Sequence, residues 1–174
     1  MLKKGSVPYD TLVVYPSKDL HIVESIGAVP IGSQDKIILE GGYALRGKLK
    51  MDVSAIPKDV SISKAILELN VDEINSIDGD PSSDSIYVHM YLNSARDSLT
   101  ADSTVTTLLK RSGNVFSGNI SWMVQKWVSG TENQGMRLTL LDEYSSVSKI
   151  VLYGSKENNP ALRPKLTIYY PKKL

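Results

Sequence analysis

Residues 63–71 read Ser63-Lys64-Ala65-Ile66-Leu67-Glu68-Leu69-Asn70-Val71. Ala65, Leu67, Leu69 and Val71 fall on one side of an extended chain, Ile66, Glu68 and Asn70 on the other. That two-residue period is the mark of a strand with one face in a core and one in water. Outward along the chain the pattern repeats. Leu45, Leu49 and Met51 oppose Arg46, Lys48 and Lys50. Ile86, Val88, Met90 and Leu92 oppose Tyr87, His89, Tyr91 and Asn93. Leu166, Ile168 and Tyr170 oppose Lys165, Thr167 and Tyr169. Residues 11–15, 20–24, 36–40, 105–109, 136–141 and 149–153 are further strand candidates. About ten short strands separated by Gly, Pro, Asn, Asp and Ser predict an all-β, antiparallel jelly-roll-type sandwich. No long helical segments alternate with them, which argues against a parallel α/β sheet.

One stretch departs from this period. Ile120, Val124, Trp127 and Val128 stand at i, i+4, i+7 and i+8, one face of a short helix over about 120–129, ended before Gly130. Trp122 lies about 200° round that helix from Ile120, on its wet side.

The chain has 174 residues, which predicts one domain: an extended arm over 1–10 and a sandwich over 11–174. It carries 20 Lys and Arg against 19 Asp and Glu, a net charge of +1, which argues against a nucleic-acid partner. There is no cysteine, so disulfides, thiol nucleophiles and thiolate metal sites are excluded. The longest apolar runs, 12–15 and 150–153, are far short of the roughly 20 residues of a membrane helix. No apolar region of signal-peptide length follows Lys3 and Lys4, so the expectation is no membrane insertion and no ordinary secretion.

Several pieces, in order from about 45 to 170, resemble the DNRLRE family of β-sandwich modules, relatives of bacterial carbohydrate-binding modules. Leu49-Lys50-Met51-Asp52-Val53-Ser54-Ala55-Ile56-Pro57 is similar to that family's Leu-Arg-Phe-Asp-Leu-Ser-x-Leu-Pro signature, with Met51 in place of the aromatic. Residues 63–71 resemble its next strand and 120–130 its helix. Gly135-Met136-Arg137-Leu138, Tyr153–Glu157 and Arg163–Tyr170 resemble its closing elements. The likeness implies a carbohydrate ligand, and structural roles for Asp52, Pro57 and Trp127.

Catalysis has little to build on. His21 and His89 are the only histidines, and no serine sits in a Gly-x-Ser-x-Gly elbow. The expectation is a protein that is not an enzyme and has no cofactor. Residues 72–85 hold Asp72, Glu73, Asp78, Asp80 and Asp84 with no Lys or Arg, and read as a solvated surface loop. Asp78 and Asp80 leave structural calcium open there, although EF-hand spacing is absent.

Sugars present flat apolar faces edged by hydroxyls, so a binder wants exposed aromatic rings beside polar groups. Tyr87 and Tyr91, four apart on one strand, would stand about 13 Å apart on the outer face with His89 between them. Trp122, with Gln125 nearby, is a second candidate for sugar contact or for a subunit interface. The expected function is non-catalytic recognition and assembly, as a structural or decoration protein of a phage virion or phage-tail-like particle with capacity for glycan. Its partners would be protein neighbours, a second copy of the chain, or a polysaccharide or surface glycan, at a virion or extracellular particle surface. The alternative is a secreted or cell-surface carbohydrate-binding module.

Overall fold

A computed structural model describes residues 9–22, 34–42, 45–58, 60–79, 83–96, 98–99 and 106–172. Within them the chain forms β1 (Tyr9–Val14), β2 (Pro16–Ile22), β3 (Lys36–Glu40), β4 (Arg46–Met51), β5 (Lys64–Asn70) and β6 (Ser85–Asn93). There follow β7 (Ser98–Leu99), β8 (Thr107–Ser112), β9 (Val115–Asn119), helix α1 (Ser121–Val128), β10 (Met136–Leu140), β11 (Lys149–Tyr153) and β12 (Lys165–Pro171). The large sheet runs β1-β12-β5-β9-β8-β6-β10-β4-β2, with β7 on β6, and β11 pairs with β3 in a second, two-stranded sheet. All these pairings are antiparallel. The large sheet curls, and isolated bridges Glu40↔Leu45 and Val71↔Leu152 tie the small sheet to β4 and to the end of β5. The result is the all-β antiparallel sandwich with one short helix that the two-residue period predicts.

The inward faces follow the alternation. Leu49 and Met51, Ala65, Leu67 and Leu69, Ile86 and Val88, and Leu166 and Ile168 enter one core with Ile37, Leu39, Leu138 and Phe116. Leu67 pairs with Leu166 and Met136 with Leu49, so apolar residues meet across strands as well as across layers. Full burial of one such side chain is worth about 1.5–3 kcal/mol.

Helix α1 closes one side of this core with Met123, Val124, Trp127 and Val128. Asn119 Oδ1 accepts from the Ser121 N–H at 2.9 Å, occupying a donor that the helix itself leaves free. Ser121 Oγ in turn accepts from Ala65 N at 2.7 Å, fastening the first turn to β5. Gly130, at φ +106°, ends the helix, and the N–H groups of Gly130 and Thr131 return to the carbonyls of Trp127 and Lys126.

Three expectations need correcting. Residues 1–8 of the expected arm lie outside the described residues, but Tyr9 and Asp10 are already strand, paired with Pro171 and Tyr170. Strand β9 was not anticipated, because Val115-Phe116-Ser117-Gly118-Asn119 shows no clean alternation. Gly118 is there for space: a Cβ would stand 2.7 Å from Leu109 Cδ2 and 2.8 Å from the Leu108 carbonyl oxygen. The end of β6 is also different. The register shifts between Tyr91 and Asn93, and a bulged strand turns its side chains. Leu92 is exposed and Tyr91 buried.

Candidate functional site

On the outer face of β6, Tyr87 and His89 are half-buried neighbours, their rings 5.7 Å apart and tilted by 44°. Tyr91 is not the exposed platform that the spacing suggested. The chain turns back after β6, β7 pairs beside it, and Lys48 Nζ lies 5.1 Å from the Tyr91 ring centre while donating to Ser94 O. The expected pair of aromatic platforms is therefore one half-buried ring. His89 faces Arg137 across β10 and contacts Thr106 Oγ1 through Nδ1 at 3.2 Å. Burial lowers its pKa below the ordinary histidine range, and the positive charges of Arg137 and Arg46 push the same way against Glu143. Both effects favour the neutral ring.

The helix candidates separate. Trp122 is exposed, and Lys126 Nζ lies 4.8 Å from its ring centre, a cation–π contact on the wet side of α1. Gln125 does not serve a ligand as its amide stands. Its Oε1 accepts from Ile62 N at 2.8 Å, and its Nε2 donates to Val60 O at 3.2 Å and Ser129 Oγ at 3.0 Å. The side chain pins the segment 60–62 to the helix.

Within the acidic stretch Glu73, Asp78 and Asp84 are exposed and Asp72 departs from the solvated pattern. Asp72 is buried and accepts from Lys36 Nζ at 2.9 Å, while Arg111 holds Asp78 at 2.9 Å and Glu73 at 3.8 Å. Asp80 lies outside the described residues, and no group of three or more His, Asp or Glu among the described residues could hold a metal ion. Asp52 Oδ1 accepts from Ser54 N at 2.9 Å and shapes the turn after β4, and Trp127 is in the core. Those turn hydrogen bonds hold the Asp52 carboxyl below its ordinary pKa, with help from the charge of Lys50. Pro57 is exposed just beyond the turn.

Asp52 and Trp127 border a cavity. It has a volume of about 550 Å³, a floor of Val53, Ile56, Trp127 and Val128, and a rim that includes Lys18, Lys50, Lys58, Asp52 and Asn133. Lys50-x-Asp52-x-Ser54 is a local signal. Lys18 and Asn133 are brought in only by the pairing of β2 and of β10 with β4, and by the Asn133 Nδ2 bond to Met51 O at 2.7 Å.

A second surface lies around the segments 72–79 and 141–148. Ile77 and Lys149 exchange backbone hydrogen bonds, and Gly79 N donates to Ser148 Oγ, so the two segments are held together. They expose Ile74 (94%), Tyr144 (88%), Val147 (74%) and Ile77 (62%). Arg46 grips buried Glu143 through Nε and a terminal nitrogen at 2.8 and 3.0 Å, which fixes the base of the second segment.

In comparison with known proteins, the chain matches no family model and no curated relative. No helix among the described residues is long and apolar enough to cross a membrane.

Proposed function

We propose that this chain is a non-catalytic recognition and assembly module, a structural or decoration protein of a phage virion or phage-tail-like particle that also engages glycan. The observation that carries it is the pair of joined segments exposing Ile74, Ile77, Tyr144 and Val147. Large apolar side chains gathered on adjoining segments mark a surface that a protein neighbour covers. They sit on backbone locked by the Ile77–Lys149 bridge and the Arg46–Glu143 pair, so the surface is presented in one shape. A protein particle that meets a cell surface is a setting in which one sandwich serves both neighbours and sugars. The test is mass spectrometry of particles banded from lysed cultures of the encoding organism, beside an Ile74→Asp/Val147→Asp variant. The wild-type chain should travel with the particles, and the variant should melt normally yet be lost from them. Absence of the wild-type chain from the particles overturns the assembly reading.

The second reading, a secreted or cell-surface carbohydrate-binding module, is favoured by the apolar-floored cavity beside β4 and by the exposed ring of Trp122. Recovery of the chain in the culture medium without particles, bound to a polysaccharide, would support it.

A further inference from the structure

We propose that the cavity bordered by Lys18, Lys50, Lys58 and Trp127 is a binding site for the negatively charged sugar unit of an acidic glycan. This rests on the glycan half of the reading above and gives it a ligand class and a place, neither of which the outer-face aromatics supply.

Two features of the cavity bear on its ligand. The first is uncompensated charge. Lys18 and Lys50 are register partners across β2 and β4, so two ammonium groups line one cavity from directly opposed positions, an arrangement that costs stability. Four cations outside the cavity are paired with acids: Lys36 with Asp72, Arg46 with Glu143, Arg111 with Asp78, Lys165 with Glu68. Lys18, Lys50 and Lys58 have no ion pair among the described residues. One carboxylate, Asp52, lines the cavity against the three lysines, so its lining keeps a positive surplus.

The second feature is the floor. Val53, Ile56, Val128 and the Trp127 ring make an apolar base beneath charged and amide groups, which suits a ring with one apolar face and an anionic edge. A volume of about 550 Å³ accommodates a compact sugar unit better than an extended peptide, and is within the usual range of ligand pockets.

Calorimetry at low salt, with a polyuronate, a sulfated glycan, a neutral glucan and polyglutamate as probes, tests this. The wild-type chain should bind at least one acidic glycan, more weakly as salt rises. Lys50→Gln/Lys58→Gln should weaken that binding about tenfold or more with no loss of thermal stability. Lys110→Gln, at an exposed lysine outside the cavity, should leave it unchanged. Binding of neutral glucan alone, indifferent to the lysines, would overturn the cavity assignment and keep the glycan reading. Equal binding of polyglutamate would mean that charge alone is read, and would overturn the sugar assignment. No binding of any glycan would remove both.

Discussion

Lys18 and Lys50 stand opposite one another across β2 and β4, and both line the same cavity. Like charges in directly opposed strand positions are destabilising, and opposite charges there stabilise by roughly 0.2–1 kcal/mol. Lys18→Glu should therefore raise the unfolding free energy by about 0.5 kcal/mol while it removes affinity for an acidic glycan. Urea unfolding read beside calorimetry measures the two effects on the same samples. Loss of stability in that variant would mean that the two lysines are not in electrostatic conflict.

The Lys36–Asp72 pair gives the fold an acid limit. Burial would raise the Asp72 pKa, but the hydrogen bonds from Lys36 and Asn75 outweigh it and hold the carboxyl below its ordinary value. A folded-state pKa below the unfolded one means that the stabilisation is present in full above the unfolded value. It is lost as pH falls through the folded value. Burial would lower the Lys36 pKa, but Asp72 and Glu157 reverse that and raise it. The lysine's share is thus kept below its unfolded pKa and lost only as pH rises through the folded one. Near neutrality both are intact. Asp72→Asn should cost about 1–3 kcal/mol at pH 7 and flatten the fall in melting temperature below pH 4.

Gly135 is the residue that lets β10 enter beside β4. Its φ is +86°, and a Cβ there would stand 2.7 Å from the Leu49 carbonyl oxygen. Gly135→Ala combines a left-handed backbone with a backbone collision, so it should lower stability by about 2 kcal/mol or more. Chemical denaturation checks this, with Gly113→Ala as a partner: it shares the positive φ, but a Cβ there has open space. Equal costs at the two sites would show that φ alone matters.

The two tryptophans of α1 should separate cleanly. Trp127 is in the core and Trp122 is on the wet face. Trp127→Ala should cost about 3–5 kcal/mol, and Trp122→Ala well under 1 kcal/mol apart from any lost contact with Lys126. Thermal unfolding of both variants decides it, and an unshifted Trp127→Ala melt would contradict the packing described above.

Much of the fold is legible in the sequence because one period governs it. Every second residue of 65–71 and 86–90 is apolar, and each of those residues is buried. Where a second influence competes, the period misleads. Tyr91 is buried beside β7 and against Lys48 of β4, a covering that its own alternation does not announce, while Leu92 is exposed. Asp72 likewise looks solvated in a row of five acids, since its cation Lys36 lies 36 residues away in sequence and reaches it only through folding. The cavity is hidden for the same reason. Lys50, Asp52 and Lys58 are local, but Lys18 and Asn133 arrive through strand order.

Gln125 shows how a residue that looks free on a helix wheel can be committed. Its amide accepts from Ile62 N and donates to Val60 O, two backbone groups of a segment that leads into β5. Gln125→Ala would leave the half-buried Ile62 N–H without its acceptor, at a cost of about 1–3 kcal/mol. Gln125→Glu keeps the acceptor for Ile62 but sets a carboxylate oxygen against the Val60 carbonyl, a repulsion that protonation relieves. The Ala variant should therefore be destabilised about equally from pH 5 to 8, whereas the Glu variant should recover toward wild type as pH falls to 5. Parallel melting curves across that range for wild type and both variants would show that the amide carries no structural load. Gln125 would then return to the set of residues free to meet a ligand beside Trp122.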